Sequence, residues 1–330
     1  MILKTAFRNM LRQKRRTSLT LLTVLGGFTL AAISIGWSDG TYAYIIKTFT
    51  QHRSGQIQVH RNGYLDKPSL DKRIRDYRSV GRKIQETKGV EAWAPRIFCA
   101  GLASLGDKTA AVQLTGIDPD LEQRATRFNR NVLRGRPLSG DSSHQALAGK
   151  GLAKILAAEI GDEIVLLSQA ADGSIANDIY RLSGIVETGD ETADRLGLYL
   201  NLADAQQFLA LDEDVHQIAV TVFHLKQVDG ITREIRARLL EQGLDVQPWQ
   251  VFAKPFYDAM KADQKGTWIM LLVIVIIVAV GVLNTVLMSV LERRREYGLM
   301  KALGTRPGQI VKLVVAELVF IALGGVLLGA

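Results

Sequence analysis

The chain has 330 residues, 47% of them hydrophobic, one cysteine and a formal net charge of +8, with a mean hydropathy of +0.09. That length allows roughly two or three domains, and a single cysteine excludes an internal disulfide, so any folded domain is held by its core. The positive excess sits in two short flanks: residues 1–16 and 292–312 carry 12 basic and 2 acidic residues, whereas 17–291 carries 29 basic and 30 acidic. Charge confined to short flanks reports membrane topology and contact with anionic lipid, so nucleic acid is not an expected partner.

Residues 1–16 read as an amphipathic helix, with Ile2, Leu3, Ala6, Phe7, Met10 and Leu11 on one face and Lys4, Arg8, Arg12 and Arg15 on the other. Such a helix lies along the inner membrane surface. Residues 17–37 form a first apolar span, long enough to cross a hydrocarbon core. This run exceeds the usual apolar region of a signal peptide, and no small-x-small site follows it near Trp37. An uncleaved anchor is therefore expected.

Residues 38–265 read as a large mixed α/β domain. Strands are expected at Gly55–His60, Ile97–Leu105, Ala110–Gly116, Glu163–Ser168, Ile179–Val186, Leu198–Asn201 and His216–Phe223, where β-branched residues are frequent. Helices are expected at Ser69–Thr87, Gly151–Glu159, Leu202–Ala210 and Asp229–Gln242. The last of these, with His216–Phe223 before it and Leu244–Gln247 after it, suggests a βαβ-like unit. Past Pro255 no proline interrupts the chain up to Leu291, so the domain is expected to run into the second span as a helical stalk.

Residues 266–291 are the second span, with no polar side chain between Ile269 and Val282. Residues 292–310 form a basic segment between membrane crossings, and 311–330 begin a third span. By the positive-inside rule both flanks and the N-terminus face the cytoplasm, and 38–265 is extracytoplasmic. The expected fold is thus an α+β membrane protein of the multi-pass inner-membrane type, its large domain inserted between the first and second helices.

Catalytic motifs are missing. The fragment Gly149-Lys150-Gly151 lacks the upstream glycine of a phosphate-binding loop, and no G-x-S-x-G elbow occurs. His52, His60, His144, His216 and His224 match no zinc spacing. Asp190, Glu191 and Asp194 fit a solvated loop better than a calcium loop. No catalytic residue, metal site or cofactor is expected, and the chain is not expected to be an enzyme.

Two intramembrane polar residues stand out, Asn284 and Glu317. A carboxylate there is costly and marks function by default, but Glu317 lies only five residues past Lys312, where hydration would allow a packing role; both readings stay open. Gly325 and Gly329 form a G-x-x-x-G pair suited to close helix packing. In the basic segment, a helix would put Glu292, Arg295 and Glu296 on one face, with Leu299, Met300 and Leu303 supplying an apolar side. Gly304 would stop it, and Thr305-Arg306-Pro307-Gly308 would turn the chain back. A plain charged loop needs neither the apolar side nor the stop, so a docking element is expected.

The run from Asn284 to Gly304, NTVLMSVLERRREYGLMKALG, followed by Gln309-Ile310 and Glu317, resembles the signature of FtsX-like (MacB/LolC/LolE-type) ABC transporter permeases. Ser54–His60, Gly151–Lys154 with Gly161-Asp162, and Gly184–Gly189 look most like the lipoprotein-releasing LolC/LolE branch. The resemblance implies that residues 38–265 form a MacB-like periplasmic core and that the chain works with a separate cytoplasmic ABC ATPase and a second permease subunit, in a homo- or heterodimer. It implies mechanotransmission: ATP hydrolysis by the partner moves the periplasmic domain, in release or export of a lipoprotein or other envelope substrate. ATPase coupling would fall on Glu292, Arg293, Arg294, Arg295, Glu296, Gly298, Lys301, Ala302 and Gly304. Family members have four spans, so a chain ending inside its third is expected to be a fragment. The alternatives are a transmembrane receptor, which should continue past Leu291 into a signalling domain, and a division-type scaffold that activates envelope hydrolases.

Overall fold

The computed structural model describes residues 8, 14–50, 54–141 and 143–329, so most of the amphipathic helix expected at residues 1–16 lies outside the described residues. The chain divides into two compact units: a helical unit, Met1–Ala43 with Asp258–Ala330, and an α/β unit, Tyr44–Tyr257.

The α/β unit carries ten strands in one sheet system. Its organising element is β2 (Val90–Leu105), sixteen residues long. One edge of β2 pairs along Arg96–Leu105 with β3 (Lys108–Ile117). The other edge is shared, Val90–Arg96 pairing with β9 (Gln217–Val222) and Gly101–Ser104 with β6 (Glu163–Gln169). From β3 the pairing passes to β8 (Gly197–Asn201), β5 (Gln145–Gly149), β7 (Ile175–Val186) and β6, and so back to β2. Six strands therefore close a ring, which leaves no free edge between them. β4 (Val132–Gly135) adds to β7 outside the ring.

The half of β2 outside the ring extends through β9, β1 (Ile57–Arg61) and β10 (Leu244–Pro248), both β9 and β10 antiparallel to β1. The expected βαβ unit is thus present in split form, with β1 inserted between its two parallel strands. Ile57, Ile97, Leu147, Leu152, Ile164, Leu166, Leu182 and Leu198, each under 2% exposed, make the core, and each fully buried side chain of this size contributes about 1.5–3 kcal/mol.

Several expected elements change at their ends or were not foreseen. The helix expected at Ser69–Thr87 is α2, Tyr77–Gln85: Asp76 sits in the left-handed region at φ 45° and accepts the Ser79 N–H, so the helix begins there. The preceding residues bridge to the sheet through Ile74 and Val215. The strand β5, sequence QALAG, has no β-branched residue. It is central, with Ala146, Leu147 and Ala148 wholly buried, and packing on both faces rather than propensity makes it a strand. The helices α3 (Pro119–Ala125), α4 (Lys150–Leu156), α5 (Glu191–Leu196), α6 (Leu202–Phe208), α7 (Val228–Arg238) and α8 (Trp249–Phe252) complete the unit.

Among the described residues three helices are long and apolar enough to cross a membrane: α1 (Lys14–Phe49), α9 (Lys254–Glu292) and α11 (Pro307–Gly329). The helix α1 that carries the first expected span, residues 17–37, continues twelve residues past it to Phe49. Ser38 and Gly40 are poor helix formers, but packing overrides them: Tyr42 is buried and its hydroxyl donates to Asp263 Oδ2 at 2.5 Å. Beyond that point, within the α/β unit, Phe49 stacks on Phe256 with ring centroids 4.4 Å apart. α9 runs 39 residues without interruption, as expected for the stalk. Small residues set the helix contacts. Gly27 of α1 faces Val278 of α9 and Gly325 of α11 faces Val24 of α1 so closely that a Cβ would collide, while Gly329 of α11 sits tightly against Phe28 of α1.

Candidate functional site: a buried ion pair behind a basic helix

At the end of α9 the helix breaks for one residue. Arg293 leaves helical geometry (φ −95°, ψ 12°), and α10 (Arg294–Ala302) begins after it. The break turns the Arg293 side chain inward. Its Nε donates to Glu296 Oε2 at 2.9 Å, and Nη1 donates to Glu317 Oε1 at 3.0 Å and Oε2 at 3.3 Å. The guanidinium also lies over the Tyr297 ring, 5.3 Å from its centroid, a favourable arrangement for a cation and an aromatic face. Both side chains of the Arg293–Glu317 pair are 10% exposed. Burial alone would lower the Arg293 pKa, but its hydrogen bonds to Glu296 and Glu317 raise it, so the arginine stays charged.

Glu317 also lines a small pocket of mixed polar and aliphatic character inside the helical unit. A cavity of about 20 Å³ lies among Thr20, Thr285, Ser289 and Glu317, large enough for one water. Thr285 spends its hydroxyl on the Gly281 carbonyl at 2.9 Å. The Glu317 carboxylate of α11 shares this pocket with Thr20 of α1 and with Thr285 and Ser289 of α9, and its ion pair to Arg293 gives it the partner that a carboxylate in an apolar helix needs.

α10 ends as the sequence suggests. Gly304 adopts φ 92°, its N–H reaches the Lys301 carbonyl, and the Thr305 N–H reaches the Met300 carbonyl, each at 3.0 Å. These two bonds make a Schellman closure, for which glycine is the residue without steric cost. α11 opens with Pro307 at its first position, and Gln309 Oε1 accepts the Arg306 N–H at 3.1 Å, the reach-back half of a capping box.

The sequence-derived site therefore splits into two sets. Glu292, Arg294, Arg295, Glu296, Gly298, Lys301, Ala302 and Gly304 are exposed, as are Leu299 at 67% and Leu303 at 87%. They form a basic and apolar outer surface. Arg293, grouped with them in the sequence, is instead buried together with Tyr297 four residues on. Glu317 joins this inner set, whereas Asn284 lies on the exposed side of α9 and is not part of it. Tyr297, Thr20 and Ser289 were not foreseen. The i,i+4 spacing of Arg293 and Tyr297, and the need of Glu317 for a cation, are the signals that could have found them.

The polar residues of the α/β unit take other roles. Asp190 caps α5 by accepting the Ala193 N–H, and Asp194 accepts the N–H and hydroxyl of Thr188, so this loop spends its carboxylates on its own backbone. His60 and His216 are brought to either side of the Tyr64 ring, with centroid separations of 5.2 and 5.7 Å. His60 Nε2 pairs with Gln217 Oε1 at 3.1 Å, and burial pushes the His60 imidazole down to about 4. Among the described residues no three histidine, cysteine or acidic side chains converge as a metal site.

A ring-closed α/β unit inserted between apolar helices, followed by a basic helix locked to a third apolar helix, defines a membrane permease of the kind built around a large domain outside the membrane. Residues 17–238 match the MacB-like periplasmic core domain and residues 268–330 the FtsX-like permease C-terminal domain; the chain belongs to this family, that of the LolC/LolE and MacB-type ABC transporter permeases. It is 22% identical over 275 residues to the lipoprotein-releasing system transmembrane protein LolC of Neisseria meningitidis, covering 81% of this chain and 65% of that one. It is 23% identical over 346 residues to an uncharacterized ABC transporter permease of Methanocaldococcus jannaschii, covering 99% and 81%. The solved periplasmic region of MacB from Actinobacillus actinomycetemcomitans is 15% identical, with a TM-score of 0.45, and covers 64% of this chain and 98% of that one. The chain thus spans just under two thirds of the length of the LolC relative.

Proposed function

We propose that the chain is a permease subunit that converts ATP hydrolysis by a separate cytoplasmic ATPase into movement of its periplasmic domain. The observation that carries this reading is the Arg293–Glu317 ion pair. It fixes the root of α10 to α11, so a push on the exposed surface of α10 would be passed to the helical unit and not absorbed at a loose joint. The unbroken α9, about 58 Å long at 1.5 Å per residue, supports the second half of the path, because a continuous helix transmits displacement along its axis. With the basic flanks on the cytoplasmic side, Arg294, Arg295, Leu299, Lys301 and Leu303 are the docking surface for the ATPase. A second permease subunit completes the assembly in this reading, and Asn284, polar and exposed among apolar neighbours, suits a contact within it. The substrate class follows from the relatives, in which lipoprotein release is represented: a lipoprotein or another envelope molecule.

The test is co-purification. Changing Arg294 and Arg295 together to Glu reverses the charge of the docking surface while leaving the buried pair alone. Loss of the co-purifying ATPase, with membrane insertion intact, is the expected result; an ATPase retained at the wild-type level removes the docking assignment.

A further inference from the structure

Arginines of the α/β unit are commonly spent on local partners. Arg73, Arg78 and Arg238 pair with Asp214, Glu213 and Glu234, and Arg61, Arg181 and Arg236 donate to backbone carbonyls. One segment departs from this. Residues 123–137 carry Arg124, Arg127, Arg130, Arg134 and Arg136 and no acidic residue, and among the described residues none of the five has an ion pair or a side-chain hydrogen bond. Arg127 is half-buried and the other four are exposed. Of the acids just before them, Asp118 is spent on capping α3 and Glu122 is buried on Arg96, which leaves Asp120.

The backbone holds this segment in place. Arg127 sits in the left-handed region at φ 57° and opens the 3-10 turn Phe128–Asn131. The Asn131 carbonyl accepts the Glu187 N–H at 2.8 Å, and the Arg136 N–H reaches the Ser183 carbonyl at 2.9 Å. Between those two bonds runs β4, the last strand in the order, paired with β7 on one side and with no strand on the other among the described residues. Its register skips at Leu133, a bulge of the kind that re-aims a side chain, and Leu133 is 51% exposed. Gly135, at φ 88°, lies against Ile160, itself 44% exposed. An open strand edge, free guanidinium groups and two exposed aliphatic side chains thus meet at one end of the sheet.

We infer that the outer edge of β4 is a docking surface for an extended acidic segment of another polypeptide. Carboxylates of that segment meet Arg130, Arg134 and Arg136, and its backbone adds to the open edge as a further strand. Charge complementarity selects the partner. Positive charge on an edge keeps a second copy of the same basic strand from pairing there, whereas an acidic strand is drawn to it. Two observations favour a polypeptide over phosphate headgroups. The edge offers backbone groups that a strand uses and a headgroup does not, and the chain enters and leaves the unit through β1 and β10, at the other end of the strand order from β4. The surface uses no residue of the helical unit, so it stands apart from ATPase docking.

The experiment takes the whole chain in a maltoside micelle and adds an alternating Glu–Val peptide, its Gln–Val counterpart or phosphatidylcholine–phosphatidylglycerol bicelles. Amide hydrogen exchange locates the contact, and fluorescence anisotropy of the labelled peptide gives the affinity. The Glu–Val peptide is expected to slow exchange at residues 132–136 and the Gln–Val peptide to leave it unchanged. Arg134→Glu with Arg136→Glu should weaken binding about tenfold, the order set by reversing two exposed ion pairs, while Arg75→Glu with Arg82→Glu should not. Arg130→Glu with Arg136→Glu gives the same test if the first pair lowers the melting temperature. No saturable binding, equal binding of the Gln–Val peptide, protection only at residues 292–312, or an affinity unchanged in whichever variant folds would each overturn the assignment. Protection of 132–136 by the bicelles and not by the peptide would also overturn it, giving the surface to lipid phosphates.

Discussion

Two buried arginine–carboxylate pairs, one in each unit, invite comparison. Arg96–Glu122 and Arg293–Glu317 are similarly shielded, with arginine side chains 10% exposed in both, and both use two guanidinium nitrogens on carboxylates. They differ in what they connect. Arg96 and Glu122 belong to a strand and the helix that packs on it, inside a unit whose aliphatic core would hold them near each other anyway. Arg293 and Glu317 join the break after α9 to α11 across the reversal at Gly304–Pro307, where the remaining contacts are thin. A buried pair in a dense core adds local order. The same pair where little else holds the chain decides how two elements are connected.

Single truncations should not separate the two pairs. Arg96→Ala leaves Glu122 charged and buried, and Arg293→Ala does the same to Glu317; each is expected to cost about 3–5 kcal/mol, read by denaturant unfolding of the whole chain in micelles. The paired apolar replacements do separate them. Arg96→Met with Glu122→Leu, and Arg293→Met with Glu317→Leu, should each recover most of that stability. Only the second should lose ATP-driven movement of the α/β unit, followed by a distance label on that unit in a reconstituted complex. Movement retained in the Arg293→Met/Glu317→Leu chain would mean that the connection does not transmit force.

Acid should act on the α/β unit before the helical one. The His60 pKa is lowered by burial from 6.5 to about 4, so between those values the unfolded chain binds the proton and the folded chain does not. Stability is therefore full above about pH 6.5 and falls as pH drops to about 4, by at most about 3 kcal/mol at 1.36 kcal/mol per pKa unit. His60→Gln should flatten the profile over that window in a urea titration. A slope that persists unchanged would place the titrating group elsewhere, His216 first, because its pKa is also lowered by burial.

A smaller effect should distinguish the packing styles. Gly325→Val drives a side chain into Val24 and should cost about 1–3 kcal/mol in the helical unit, with the melting of the α/β unit unchanged. The smallest change expected is from Tyr42→Phe, which removes the hydrogen bond to Asp263 at a cost of about 1 kcal/mol. Its signature would be faster hydrogen exchange along residues 38–49.

Much of this organisation was legible in the residues. Apolar runs longer than a membrane thickness, a basic excess packed into two flanks, and glycine at position 304 after an amphipathic turn are local signals. Each acts through length, charge or a backbone angle that needs no partner. The strands with β-branched residues were equally visible. β5 was not, because Ala146, Leu147 and Ala148 become a strand only when β8 and β7 lie on either side. The extension of α1 past Trp37 was hidden for the same reason, since its support comes from Asp263, 221 residues away from Tyr42.

The division between the two sources of information follows from range. Composition and periodicity determined that this chain crosses a membrane, that its α/β domain lies between two helices, and that a basic amphipathic helix follows the second. These depend on the chemistry of neighbouring residues and on transfer into lipid. Tertiary structure decided that Arg293 points inward while Arg294 and Arg295 point out, that Glu317 is its partner, and that β2 closes a ring with one half and extends a sheet with the other. Those outcomes depend on groups far apart in sequence meeting at hydrogen-bonding distance, and no local pattern specifies which of several arginines will find the carboxylate.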